Sequence, residues 1–278
     1  MPMQTREVSL YKGKLNIVFH YSDVNPKIHH YTINGEKIVS VTAALGMINK
    51  EGLLYWAVNL ACDHLKEALD NGQLITYAMI EAAREMHGVK SAEAAEIGTL
   101  VHAWAQSFIN GENPQLPDPD TDPLVMNGIS AFIDWVDKHK VKFKSTERIV
   151  YSKKYQYVGT MDAEAVIDGK LSVLEFKTSK RPKCPHCKKD EQASCRHNVV
   201  YPEWRYQSAA YQRAAQEEGS KYNGHRYIIR FDKEDGHFEA TRVQDIMQDY
   251  YAFLGALTLK KRQDELSKKP KLYVPKAA

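Results

Sequence analysis

Residues 159–177 read GTMDAEAVIDGKLSVLEFK, and the Asp168-Gly169 pair between two β-prone runs decides how they fold. Asp-Gly is a strong two-residue hairpin signal, because both loop residues must accept positive φ. The stretch therefore predicts a β-hairpin. With Asp168 and Gly169 as the loop, Ile167 opposes Lys170, and counting outward brings Asp162 opposite Glu175 and Thr160 opposite Lys177. Alternation sends Met161, Ala163, Ala165, Ile167, Leu174 and Phe176 to a buried face and leaves Asp162, Glu175 and Lys177 on the other. Two carboxylates facing across the hairpin have Cβ atoms about 5 Å apart. They repel unless one is protonated or a cation lies between them, and a hard ion such as Mg²⁺ or Mn²⁺ suits oxygen ligands. A solvated hairpin with a Glu–Lys pair is the plainer alternative.

The rest of the composition narrows the class. A chain of 278 residues suffices for one large domain or two small ones, and 43% hydrophobic with 26% charged residues is ordinary for a globular protein. No apolar run is long enough to span a bilayer, and MPMQTREVSLYKGK lacks the apolar core of a signal peptide, so a cytoplasmic location is expected. The formal net charge is only +3, but its distribution is uneven. Lys138, Lys140, Lys142, Lys144, Arg148, Lys153 and Lys154 run up to the hairpin, and Lys180, Arg181, Lys183, Lys188 and Lys189 follow it. Basic flanks around a carboxylate pair suit a polyanion such as nucleic acid.

Along the chain, residues 5–40 alternate apolar and polar positions around a second turn signal, Asn34-Gly35, and predict small antiparallel strands. His29 and His30 lie there without an assigned role. Ser40 and Thr42 can cap a short helix ending near Asn49. Helical spacing of Leu53, Trp56, Ala57, Leu60, Ala61 and Leu65 predicts a helix to about Leu69, stopped at Asn71-Gly72. Further helices are expected at about 76–86, ending at His87-Gly88, and 91–109. His102 lies one turn beyond Gly98 on that last helix. After the proline-rich acidic loop 114–123 come a helix at 124–140, a basic strand at 146–153 and the hairpin. A helix at 202–218, strands at 226–231 and 238–242, a helix at 243–265 and a lysine-rich tail complete the chain.

Four motifs now stand in order: Gly98-Thr99-x-x-His102, Gly159-Thr160-Met161-Asp162, Glu175-Phe176-Lys177-Thr178-Ser179 and Gln207-x-x-x-Tyr211. Together they resemble the PD-(D/E)XK nuclease superfamily, in particular the branch with RecB-type nuclease domains and phage and CRISPR-adaptation exonucleases. The resemblance spans about His102 to Tyr211. It implies an α/β fold with a restriction-endonuclease-like core, a mixed central sheet flanked by helices. The chain then reads as one nuclease domain over 1–278: strands and helices to 90, a catalytic core at 91–242, a metal-binding insert at 181–200, and a C-terminal helix and basic tail at 243–278. It further implies His102, Asp162, Glu175 and the backbone carbonyl of Phe176 as Mg²⁺ or Mn²⁺ ligands, Lys177 as the catalytic lysine, and Gln207, Tyr211, Thr178 and Lys180 beside the substrate. The expected activity is DNA hydrolysis, by an exonuclease on single strands or duplex ends, in a bacterial or phage-infected cell. Recombination, repair or phage replication is the expected setting, with a helicase or recombination protein as partner. An inactive DNA-binding module on the same fold and a structure-specific endonuclease are the alternatives.

A second pattern, Cys184-Pro-His-Cys187 followed by Cys195-Arg-His197, offers a Cys₃His set for tetrahedral zinc, with His186 as a substitute for His197. The insert has few apolar residues, and a bound metal is one source of order for it. Some relatives hold an iron–sulfur cluster, which would here recruit Cys62. Their cysteines cluster near the C-terminus, whereas those of this chain precede the Gln207–Tyr211 helix.

Overall fold

The structure, a computed structural model, describes residues 3–22, 28–118, 120–192, 195 and 197–268. Its centre is the predicted hairpin: β6 (Tyr157–Ile167) and β7 (Lys170–Thr178) pair from Ile167↔Lys170 to Ala163↔Leu174. Both loop residues have positive φ, 50° at Asp168 and 74° at Gly169. Strand β5 (Lys142–Ser152) lies antiparallel along one edge of β6, while β8 (Arg226–Phe231) lies parallel to β7 and antiparallel to β9 (Phe238–Val243). An antiparallel meander, β1 (Gln4–Leu10), β2 (Leu15–Tyr21), β3 (His29–Ile33) and β4 (Glu36–Ser40), joins through β4, which runs parallel to β6 at Val39↔Tyr157 and Ser40↔Val158. Among the described residues the result is a mixed nine-stranded sheet.

This topology creates a fork. On one edge β6 has β4 as its neighbour at residues 157–158 and β7 from residue 163 onward, so neither strand pairs with it between these points.

Helices cover both faces of the sheet. Helix α4 (Pro123–His139) starts with Asp122 capping Leu124 and ends at left-handed Lys140, and it packs Ile129, Phe132 and Trp135 onto Ala163, Ala165, Leu174, Phe176 and Phe231. On the opposite face α1 (Val41–Leu45), α5 (Pro202–Glu218) and α6 (Ile246–Lys268) surround Tyr157, Met161 and Val173 with Ala210, Tyr211, Ala214 and Phe253. The polar face of the hairpin is thus roofed by helices rather than solvated.

Five expectations change. Met161 packs with α5, not with Ala163. Its partner on β5 is Arg148, next to which Glu147 has a φ of 48°, and the 147–162 step is missing from the β5–β6 pairing, so simple alternation breaks at Asp162. The helices expected at 76–86 and 91–109 are one, α3 (Tyr77–Ile109), capped by Thr76. Gly88 costs about 1 kcal/mol in a helix but does not end one by itself. Helix α1 stops at Leu45, where the Gly46 N–H closes it onto Thr42, and α6 begins at Ile246 because β9 extends to Val243. Helix α2 (Glu51–Asp70) packs against α3, but the expected Leu53 and Trp56 are exposed. Most of the lysine-rich tail, from residue 269, lies outside the described residues. No helix among the described residues is long and apolar enough to cross a membrane.

Candidate metal-binding and catalytic site

The fork brings the predicted residues together. Where the β6–β7 ladder lapses, the Asp162 carboxylate replaces it: Oδ2 accepts the Phe176 backbone N–H at 2.7 Å. In a strand the N–H and C=O of one residue point to the same edge, so the Phe176 carbonyl also faces the fork. Glu175 lies beside it with 1% of its surface exposed, and Lys177 Nζ donates to Glu175 Oε1 at 2.6 Å and to Gln207 Oε1 at 3.1 Å. Gln207 Nε2 donates in turn to the Tyr211 hydroxyl at 3.0 Å. Gln207 and Tyr211 stand one turn apart on α5, as their spacing requires. From α3, His102 meets Phe176 edge-on, with ring centroids 6.2 Å apart.

Electrostatics mark this cluster as strained without a cation. Burial, then the negative charge of Asp162, pushes the Glu175 carboxyl up to about 8, although Lys177 pulls the other way. Burial lowers the pKa of His102 despite nearby Asp162. Burial also opposes the charge on Lys177, but Glu175 and Asp162 outweigh it and raise its pKa. Glu175 Oε2 is buried with no hydrogen-bond partner among the described residues. An orphaned carboxylate oxygen is costly in a dry interior, and a divalent cation would relieve it.

A third carboxylate joins the first two. Burial and Asp162 push Glu147 up to about 8, and Arg6 pulls it down. Sequence reasoning missed Glu147, because only the irregular β5–β6 register brings a residue so far from the hairpin loop next to Asp162.

Gly159 has its own reason here. A Cβ at this position would lie 2.5 Å from Tyr211 Cε1 and 3.1 Å from Val41 Cγ2, so the tyrosine reaches the site only across a glycine. Gly159→Ala is therefore expected to destabilise the protein by about 1–3 kcal/mol, read as a lower urea midpoint at unchanged m-value. Gly98, by contrast, has open space above it.

Two predicted residues are not in the cluster. Thr178 lies on the other face of β7 from Lys177, with its methyl group against Gly128 of α4 and its hydroxyl without a partner among the described residues. Lys180 is exposed and 4.0 Å from Glu234.

Between β7 and α5, Cys184, Cys187, Cys195 and His197 bring their ligand atoms within 4.8 Å of one another and could hold a metal ion. His197 Nδ1 is 3.5, 3.5 and 3.6 Å from the three sulfurs. His186 stands outside this set, its ring 6.2 Å from that of His197. Cys62 is exposed on α2 and takes no part, so the four ligands are complete without it.

Neither the protein-family models nor the curated proteins give a match to this chain.

Proposed function

We propose that this chain is a Mg²⁺- or Mn²⁺-dependent deoxyribonuclease of the PD-(D/E)XK type, acting as an exonuclease on single-stranded DNA or DNA ends. One observation carries the reading: Asp162, Glu175 and Lys177 lie together near His102, and a buried Glu175 oxygen there lacks a hydrogen-bond partner among the described residues. The donors fit the cation, since carboxylate oxygens and a backbone carbonyl suit a hard ion and one imidazole is compatible with Mn²⁺. Asp162, Glu175, His102 and the Phe176 carbonyl would hold it, and it would supply Lewis-acid polarisation of the scissile phosphate and a more acidic water. Lys177 places a positive charge where negative charge develops on the phosphate oxygens. Gln207 fixes the Lys177 ammonium, and Tyr211 fixes Gln207. The restriction-endonuclease-like core implied by the motifs agrees with a mixed sheet covered on both faces. A recombination or repair setting with a helicase partner, in a bacterial or phage-infected cell, fits the same reading.

Zinc is the ion proposed for the cysteine set. Bonds of about 2.3 Å to sulfur and about 2.0 Å to nitrogen across a tetrahedral angle separate the two ligand atoms by about 3.5 Å. The separations in the insert match this value.

Incubation of the purified protein with end-labelled linear and with circular single-stranded DNA, in Mg²⁺, Mn²⁺ or EDTA, tests the activity. Metal-dependent shortening of linear DNA that spares circles is the expected result. Cleavage of circles makes the protein an endonuclease, and binding without cleavage under any metal makes it a DNA-binding module.

Cation binding should also depend on pH in a stated direction. Glu175 and Glu147 are raised from about 4.5 to about 8, so the metal-free folded protein keeps protons that the unfolded chain releases. These groups favour folding below about pH 4.5 and cease to do so as pH rises through about 8. Because a cation must displace those protons, the rise in Tm with added Mn²⁺ is expected to be larger at pH 8 than at pH 6. An equal rise at both pH values would show that these carboxylates do not take the ion.

A further inference from the structure

Helix α5 begins with an aromatic step that the hydrolytic cluster does not use. Tyr201, the residue before its first turn, is 44% exposed, and its ring meets Trp204 edge-on with centroids 4.8 Å apart. Trp204 is only half-buried, and Lys177 Nζ lies 6.0 Å from its ring centroid. Between the two aromatic residues in the chain, Glu203 pairs with Lys50 at 3.0 Å. Exposed Lys180 stands just before the adjoining insert, and exposed Lys183 and Lys188 belong to it. Partly exposed aromatic rings beside the Lys177 ammonium, next to a basic segment, match the chemistry of single-stranded nucleic-acid binding. There a base stacks on a ring while lysines accompany the backbone.

We propose that Tyr201 and Trp204 form a base-stacking subsite for the unpaired nucleotide adjoining the phosphate that Lys177 contacts. A base within an intact duplex already stacks on its neighbours and pairs with its complement, so it cannot use this step. The subsite thus explains, on the nuclease reading from which it follows, why a single strand or frayed end would be preferred. It reads no particular base, since every base offers a π-face.

Oligonucleotides carrying one abasic residue at successive positions from the end test the proposal, cut by the wild type, Trp204→Ala, Trp204→Phe and Tyr201→Ala in Mg²⁺. One abasic position is expected to raise KM about tenfold for the wild type and to have little effect on Trp204→Ala, with Trp204→Phe in between. Circular dichroism and Tm report whether each variant folds. Equal KM for intact and abasic strands at every position in the wild type would overturn the subsite while leaving the nuclease reading intact. If the wild type cuts nothing, the nuclease reading fails. Binding of the same oligonucleotides in EDTA then decides: a tenfold preference for the intact strand that disappears in Trp204→Ala upholds the subsite, and equal binding removes it.

Discussion

Lys177→Ala is expected to lower the initial rate of DNA cleavage by about 10³-fold while leaving a folded protein that still responds to Mn²⁺. The Lys177 ammonium lies in the cluster, hydrogen-bonded to Glu175 and Gln207, and no other lysine or arginine among the described residues donates to either. Alanine therefore removes the only cation those two groups hold, and Glu175 is left to be neutralised by a proton or the ion. Arginine should not rescue, because a planar guanidinium does not fit a point-charge position set by two acceptors at 2.6 and 3.1 Å. Asp162→Asn should also abolish cleavage, yet through a different loss: its Tm should no longer rise with Mn²⁺, whereas that of Lys177→Ala should. Rates on end-labelled DNA, combined with melting curves in EDTA and in Mn²⁺, separate the two roles. Activity surviving both substitutions would move the active site elsewhere.

The second large effect concerns the insert. Cys184→Ser is expected to lose one equivalent of bound zinc and to make residues 179–201 the first site of proteolysis, whereas His186→Ala should keep the metal. Cys184 and Cys195 are almost fully buried in a segment otherwise poor in apolar residues, so their burial depends on one another and on whatever they bind. Gln192 adds only local support, accepting the Cys184 N–H and donating to the Cys184 and Cys187 carbonyls. Because the insert joins the strand bearing Glu175 and Lys177 to the helix bearing Gln207 and Tyr211, its loosening should carry into catalysis. A displacement of about 1 Å can cost about 10²-fold, so kcat/KM should fall well beyond any change in Tm. Metal analysis, limited proteolysis and steady-state rates on the same preparations check this. Unchanged proteolysis and activity in a zinc-free variant would make the site ornamental.

Much of the site was legible because it rests on local rules. Asp168-Gly169 imposes the turn, the turn imposes the register, and the register brings Asp162 towards Glu175. The spacing of Gln207 and Tyr211 places both on one helical face. What could not be read depends on partners distant in the chain. The parallel contact of β4 with β6, which opens the fork, involves no turn signal. Glu147 reaches the carboxylates through a left-handed residue in an irregular stretch, and no residue type announces it. Likewise, alternation correctly assigned Ala163 and Leu174 to the α4 face but failed at Met161, beyond the break. Gly88 misled because a glycine within a helix is tolerated when the helix continues to pack on either side.

The hydrogen bond from Phe176 to Asp162 has an evolutionary consequence. Asp162 is a ligand candidate and also the acceptor that keeps a backbone N–H from being orphaned where two strands part, at a cost of about 1–3 kcal/mol if lost. Selection for the fold alone would preserve an acceptor there, whether or not a descendant carried the proposed activity. Lys177 supports no such backbone group, since its side-chain hydrogen bonds go to Glu175 and Gln207. Among descendants of this chain, loss of the lysine rather than of the aspartate would mark the retirement of the active site.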